Sequence, residues 1–167
     1  WKFIFDSKNK LFKKSTNYSI ILITNQLGIS KGKTTISDIK YKINNIINEL
    51  NIPILVIISP GNDNIRKPRI GSFKIIEEMY QQHYNSQSPN RESSEFKIKK
   101  FYYIGDAAGR INDHTDSDYK YLLNVAKYRN DIKTKFYTPE EYFLKDTDNP
   151  PILNKRGYNL DYKGKDT

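Results

Sequence analysis

Short apolar runs alternate along this chain with stretches whose apolar residues recur every three or four positions. The runs are Ile20-Ile21-Leu22-Ile23, Ile54-Leu55-Val56-Ile57-Ile58 and Phe101-Tyr102-Tyr103-Ile104. Such alternation predicts an α/β architecture with a parallel sheet. Strands are expected over residues 18–24, 54–59, 101–105 and 133–136. Between the first two, Ile39, Ile43, Ile46, Ile47 and Leu50 fall at helical spacing. Ser37 is the expected N-cap of that helix, with Lys40 rather than an acid at the capping-box position. A second helix is expected over residues 72–82, with Phe73, Ile76 and Tyr80 on one side, and a third over 117–127. Residues 83–97, polar and rich in Ser, predict an exposed insertion within a domain covering 1–145. Residues 146–167 turn to Asp, Asn, Pro and Lys and predict a tail or linker.

Composition adjusts this picture in three ways. The 167 residues fit one domain, and 37% hydrophobic content, clustered as it is, suffices for a core. A net charge of +9 suits a polyanionic partner, although a chain so rich in Lys, Asn and Ile looks basic whatever it binds. The absence of cysteine excludes disulfides, thiolate nucleophiles and Cys-based zinc sites. No apolar run approaches the roughly 20 residues of a membrane helix, and no secretory signal is visible, so no membrane partner is expected.

Gly28 to Thr35 (GISKGKTT) has the setting of a phosphate loop, after a strand and before a helix. Counting back from Gly32-Lys33 puts Leu27 where the Walker pattern needs glycine, so the register is wrong. Three other residues make more sense together. Thr24, followed by Asn25, ends the first expected strand; Lys67 lies in the loop after the second; Asp106 ends the third. Alone, each reads blandly, as a strand-end Thr, a solvated Lys and a turn Asp. Together, a hydroxyl, an ammonium and a carboxylate at the carboxyl edge of a parallel sheet suit a phosphoryl group and Mg²⁺.

The stretches Thr24-Asn25-Gln26-Leu27-Gly28-Ile29, Arg66-Lys67-Pro68, Gly105-Asp106-Ala107-Ala108-Gly109-Arg110 and Thr138-Pro139-Glu140-Glu141-Tyr142-Phe143-Leu144 carry a closer likeness. From about Trp1 to Leu144 the chain resembles the phosphatase domain of the polynucleotide kinase 3′-phosphatase family, within the haloacid dehalogenase superfamily. The resemblance implies a three-layer, Rossmann-like parallel sheet and Mg²⁺-dependent removal of 3′-phosphate from DNA ends during strand-break repair. It implies that Thr24 and Asn25 serve the phosphoryl site, that Lys67 neutralises phosphoryl charge and that Asp106 binds Mg²⁺. Asp118 would support the metal site or hold Lys67, with Asp113 and Asp116 as nearby alternatives. Lys31, Lys33 and Arg66 stand where the family carries basic residues and would grip DNA phosphates; each reads equally well as a solvated surface charge.

One departure from the family pattern is large. The superfamily's Asp-x-Asp-Gly-Thr motif, whose first Asp is the nucleophile and second the general acid/base, does not occur here. Asp6 follows Phe3-Ile4-Phe5 but has no second acid two residues on. The expectation is that the central nucleophile strand lies upstream of Trp1, and that residues 1–167 alone fold poorly and lack phosphatase activity. A kinase domain or repair-scaffold proteins outside this chain are expected partners, and the resemblance implies a nuclear location, with an organellar one equally open. Two rival readings stand beside this one. A small-molecule phosphatase of the same superfamily commonly carries a Cys/His zinc loop, which a chain without Cys and with only His83 and His114 cannot form. A noncatalytic, basic nucleic-acid-binding module is the other.

Overall fold

The computed structural model describes residues 8–87 and 96–152. In chain order these form helix α1 (Lys8–Ser15), strand β1 (Ile20–Asn25), the single turn α2 (Leu27–Ser30), helix α3 (Ile36–Leu50), strand β2 (Ile54–Ser59), helix α4 (Gly71–Gln87), strand β3 (Lys100–Ile104), helix α5 (Ser117–Tyr128), strand β4 (Lys133–Tyr137) and a π-helical turn (Glu140–Leu144). Asp6 and residues 88–95 and 153–167, on which parts of the insertion and tail expectations fall, lie outside the described residues.

The α/β class is as expected, and every strand pair is parallel. β1 pairs with β2 from Ile20 opposite Ile54 to Asn25 opposite Ser59. β3 pairs with β4 from Lys100 opposite Lys133 to Ile104 opposite Tyr137. Parallel strands need a crossover, and α3 and α5 supply them. The described residues make two separate two-stranded sheets, with no ladder between β1 and β3. The two pairs share one core instead. Ile23 and Ile57 from the first pair cluster with Tyr103 from the second, with Phe73 and Ile76 from α4, and with Tyr121, Leu122 and Val125 from α5. A smaller cluster joins Leu11, Leu50 and Ile52.

Two boundaries differ from expectation for local reasons. The first strand starts at Ile20 rather than residue 18, because the Tyr18 N–H is taken by Lys14 O at 2.9 Å, closing the end of α1. Helix α3 is capped by Thr35, not Ser37. The Thr35 hydroxyl accepts from Asp38 N at 3.1 Å, and the Thr35 N–H donates to Asp38 Oδ2 at 3.0 Å. This reciprocal box satisfies two backbone donors that a helix start would leave open, which Ser37 with Lys40 could not do. Helix α4 also runs beyond residue 82 to Gln87. Its outer turns are steadied by Tyr80, whose ring stacks on Phe96 at 5.6 Å, and by Gln81, whose Oε1 accepts from Phe96 N at 2.8 Å. No helix among the described residues is long and apolar enough to cross a membrane.

Candidate active site

In-register parallel pairing brings the carboxyl ends of β1 and β2 to the same level, with Thr24 opposite Ile58 and Asn25 opposite Ser59. The chain leaving β1 stays close to β2, since Gln26 N donates to Ser59 O at 2.7 Å and Ser30 N to Pro60 O at 3.1 Å. The loop after β2 is organised by Asp63, whose Oδ1 accepts from Ser59 Oγ and from the N–H groups of Ile65 and Arg66 at 3.0–3.1 Å. That loop delivers Lys67.

Lys67 is held at both ends. Its backbone is clamped by the Asn25 amide, which donates through Nδ2 to Lys67 O at 3.1 Å and accepts from Lys67 N at 3.0 Å. The next peptide, Lys67–Pro68, is cis, and Pro68 O accepts from Asn124 Nδ2 of α5 at 2.9 Å. The ammonium lies 2.6 Å from Asp118 Oδ1, with side-chain exposures of only 9% and 6%. It also donates to Tyr103 Oη at 2.8 Å and to Ile23 O at 3.1 Å. One side chain thus bridges β1 and β3, the two strands that no ladder joins.

Asp118 is in the first turn of α5, and its second oxygen accepts from Ala107 N at 3.2 Å. This close seating dictates glycine at 105, where a Cβ would stand 2.5 Å from Asp118 Cβ. Both carboxylate oxygens of Asp118 are therefore engaged, one with Lys67 and one with the loop. Of the two functions open to Asp118, the geometry favours holding Lys67. The alternatives Asp113 and Asp116 are occupied elsewhere, Asp113 with Arg110 at 3.0 Å and Asp116 with Lys120 at 2.6 Å.

Asp106 differs from all of these. It is exposed at the end of β3, and its carboxylate has no hydrogen bond or ion pair among the described residues. Only its backbone oxygen is used, by Ala108 N at 3.0 Å and Arg110 Nη2 at 3.3 Å. The loop beyond it is fastened by Arg110, whose guanidinium meets Asp113 and, at 2.9 Å, Glu140 Oε2. Asp113 also accepts from Ala108 N at 2.9 Å and Arg110 N at 3.1 Å. Burial pushes the Asp113 carboxyl up, but the Arg110 guanidinium and these N–H groups together hold it below the ordinary carboxylate value. Gly109 has φ +79°, and a side chain there would run into Ile152 O, so the segment ending at Ile152 rests directly on this loop.

Among the residues singled out in the sequence, Thr24, Asn25, Lys67 and Asp106 all stand at carboxyl ends of strands or in the loops that follow them. Thr24 Oγ1 accepts from Gln26 Nε2 at 2.8 Å and keeps its own O–H to donate. Lys31 and Lys33 are exposed in the turn after β1. Arg66 is half-buried, and its Nη1 is sealed from water with no partner among the described residues. Sequence reasoning missed Tyr103 as a polar member of the site and the clamp of Arg110, Asp113 and Glu140. Arg110 and Glu140 belonged to quoted motifs. Tyr103 gave no signal beyond a strand aromatic.

The model of the family described as polynucleotide kinase 3 phosphatase matches residues 1–143. The chain is 32% identical over 137 residues to an uncharacterized 20.8 kDa protein of Autographa californica nuclear polyhedrosis virus, covering 78% of this chain and 64% of that one. It is 32% identical over 135 residues to the bifunctional polynucleotide phosphatase/kinase of Schizosaccharomyces pombe, covering 81% of this chain and 28% of that protein. It is 30% identical over 147 residues to the polynucleotide 3′-phosphatase ZDP of Arabidopsis thaliana, covering 80% of this chain and 19% of that protein. The chain thus spans about a fifth to two thirds of the length of these relatives. With residues 1–143 of 167 matched, this chain belongs to the polynucleotide kinase 3 phosphatase family.

Proposed function

We propose that the protein containing this chain is a Mg²⁺-dependent DNA 3′-phosphatase acting through an aspartyl-phosphate, in the repair of DNA strand breaks. The observation that carries this reading is the fixed ammonium of Lys67, held by Asp118 at 2.6 Å beside strand ends that also present Thr24 and the Asp106 carboxylate, unpaired among the described residues. Phosphoryl transfer asks mainly for positioning and charge neutralisation, and these groups provide both.

Each residue has a task in this reading. Thr24 donates its O–H to a phosphoryl oxygen. Lys67 offsets negative charge on the group in transit. Asn25 keeps the Lys67 backbone in register. In this reading an Asp-x-Asp-Gly-Thr pair supplies the two reacting carboxyl groups. Its first carboxylate attacks phosphorus, the bond from phosphorus to the sugar 3′-oxygen breaks, and the second acid protonates that oxygen. Water then attacks the acyl phosphate and releases inorganic phosphate. Asp106 fits Mg²⁺, because its carboxylate is exposed and uncommitted among the described residues, and Mg²⁺ commonly takes one or two carboxylates with substrate phosphate. Bound there, the ion would neutralise phosphoryl charge. Lys31, Lys33 and Arg66 hold DNA phosphates, Lys31 and Lys33 from the exposed turn after β1. A kinase domain elsewhere in the protein accords with the phosphatase/kinase relatives, and nuclear residence with a DNA-repair task.

The test uses the full-length protein with an oligonucleotide bearing a 3′-phosphate, the same oligonucleotide bearing a 5′-phosphate, and a small sugar phosphate. Release of phosphate from the 3′-end alone, lost with EDTA and restored by Mg²⁺, is the expected result. Preference for the sugar phosphate would establish a small-molecule phosphatase, and binding without turnover would establish a noncatalytic module.

A further inference from the structure

All three N–H bonds of the Lys67 ammonium are committed inside the protein. They reach Asp118 Oδ1 at 2.6 Å, Tyr103 Oη at 2.8 Å and Ile23 O at 3.1 Å. An ammonium has three donors and no acceptor, so the set is complete. Of the three acceptors, only Tyr103 touches both charged members, because its hydroxyl also donates to Asp118 Oδ1 at 3.3 Å. Tyr103 reaches this point from β3 and Ile23 from β1.

From this closed three-way contact we propose that Tyr103 is a positioning residue for Lys67, its hydroxyl fixing the ammonium where it meets the phosphoryl group. The inference rests on the phosphatase reading above. Asp118 supplies charge but little direction, since a carboxylate accepts over a wide arc. A phenol on a packed ring supplies direction. The Tyr103 ring lies 5.2 Å from Tyr121 and 6.1 Å, nearly parallel, from Phe136, so it cannot swing. Burial and then the Asp118 charge push the hydroxyl's pKa up, which favours its protonated, donating form toward Asp118. An arriving phosphoryl oxygen can take the N–H aimed at Ile23 O, the longest of the three, while Tyr103 and Asp118 keep the nitrogen in place.

The experiment is a double-mutant cycle in the full-length protein, with a 3′-phosphorylated oligonucleotide as substrate. Tyr103→Phe keeps the ring and deletes the hydroxyl. It is expected to lower kcat by about ten- to a hundredfold, the loss typical of a hydrogen bond to a charged group, with KM within about twofold of wild type. In a Lys67→Met background, whose residual rate is read at high enzyme concentration, adding Tyr103→Phe is expected to change nothing further. Incorporating fluorotyrosines at 103 weakens the acceptor without altering the fold, and kcat should fall stepwise as fluorine is added. A Tyr103→Phe enzyme with normal kcat, an equal proportional loss in both backgrounds, or a flat fluorotyrosine series would overturn the proposal while leaving the phosphatase reading intact. Wild-type activity that survives Lys67→Met would overturn the assigned task of Lys67 and the proposal with it.

Discussion

Asn25 and Lys67 are 42 positions apart in sequence, yet the Asn25 amide holds the Lys67 backbone by two opposed hydrogen bonds of 3.1 and 3.0 Å. This resembles one rung of a sheet ladder, made by a side chain where strand pairing has ended at Ser59. Its effect is to carry the order of the β1–β2 pair out into the loop that bears the ammonium.

Removing that rung should therefore impair catalysis more than binding. In the full-length protein, Asn25→Ala should lower kcat on a 3′-phosphorylated oligonucleotide by about ten- to a hundredfold, because small misplacements of a charge-neutralising group are costly in rate. Steady-state kinetics check this; a raised KM with unchanged kcat would mean that Asn25 contacts substrate instead.

Gly105 should not tolerate a methyl group. A Cβ there would lie 2.5 Å from Asp118 Cβ, and both positions are fixed, one by β3 and one by α5. Gly105→Ala should destabilise by about 1–3 kcal/mol through overpacking and should separate Asp118 from Lys67, abolishing turnover. A denaturant melt and an activity assay on the same sample measure both effects; a variant that loses neither stability nor rate would show that the strand end is looser than described.

The clamp of Arg110 and Asp113 should contribute to stability in a pH-dependent way. Both side chains are about nine-tenths buried, and the folded Asp113 pKa lies below its ordinary value. A depressed pKa means the contribution is fully present above the unfolded value near 3.9 and fades as pH falls through the folded one. Asp113→Asn should cost about 1.5–3 kcal/mol at neutral pH, the scale of a hydrogen bond to a charged group. Melts of both proteins at pH 7, 5 and 3 should show the same gap at the first two and a smaller gap at the third. A gap that widens toward pH 3 would contradict the sign.

Arg66 and Lys31 should act on DNA rather than on the phosphoryl group. Replacing either by Ala should weaken oligonucleotide binding and flatten its dependence on log salt by about one unit of slope per lost contact. Hydrolysis of a small aryl phosphate should be spared. Equal loss on both substrates would assign these residues to the phosphoryl site.

The positions of Thr24, Lys67 and Asp106 were legible in the sequence because apolar runs end just before or near them, and ligands gather at such edges. The helix α3 cap was also legible in Thr35-Ile36-Ser37-Asp38, but Ser37 competed as a cap and drew attention from the box three residues apart. What no local pattern carried was long range. Tyr103 reads as a core aromatic until α5 and the loop after β2 bring Asp118 and Lys67 against its hydroxyl. The separation of the strands into two pairs is likewise invisible to periodicity, which shows where strands lie but not which of them share a ladder.

In the proposed reading, Asp106 serves a magnesium-assisted phosphoryl site whose charge Lys67 offsets. The most direct measurement is phosphate release from a 3′-phosphorylated oligonucleotide by full-length Asp106→Asn, across a Mg²⁺ titration. This substitution keeps the shape of the side chain and removes a carboxylate that no residue among those described holds in place. Turnover is predicted to fall at least about a hundredfold and to stay low at saturating Mg²⁺, as expected for loss of a metal ligand. Near-normal turnover at saturating Mg²⁺ would contradict the account.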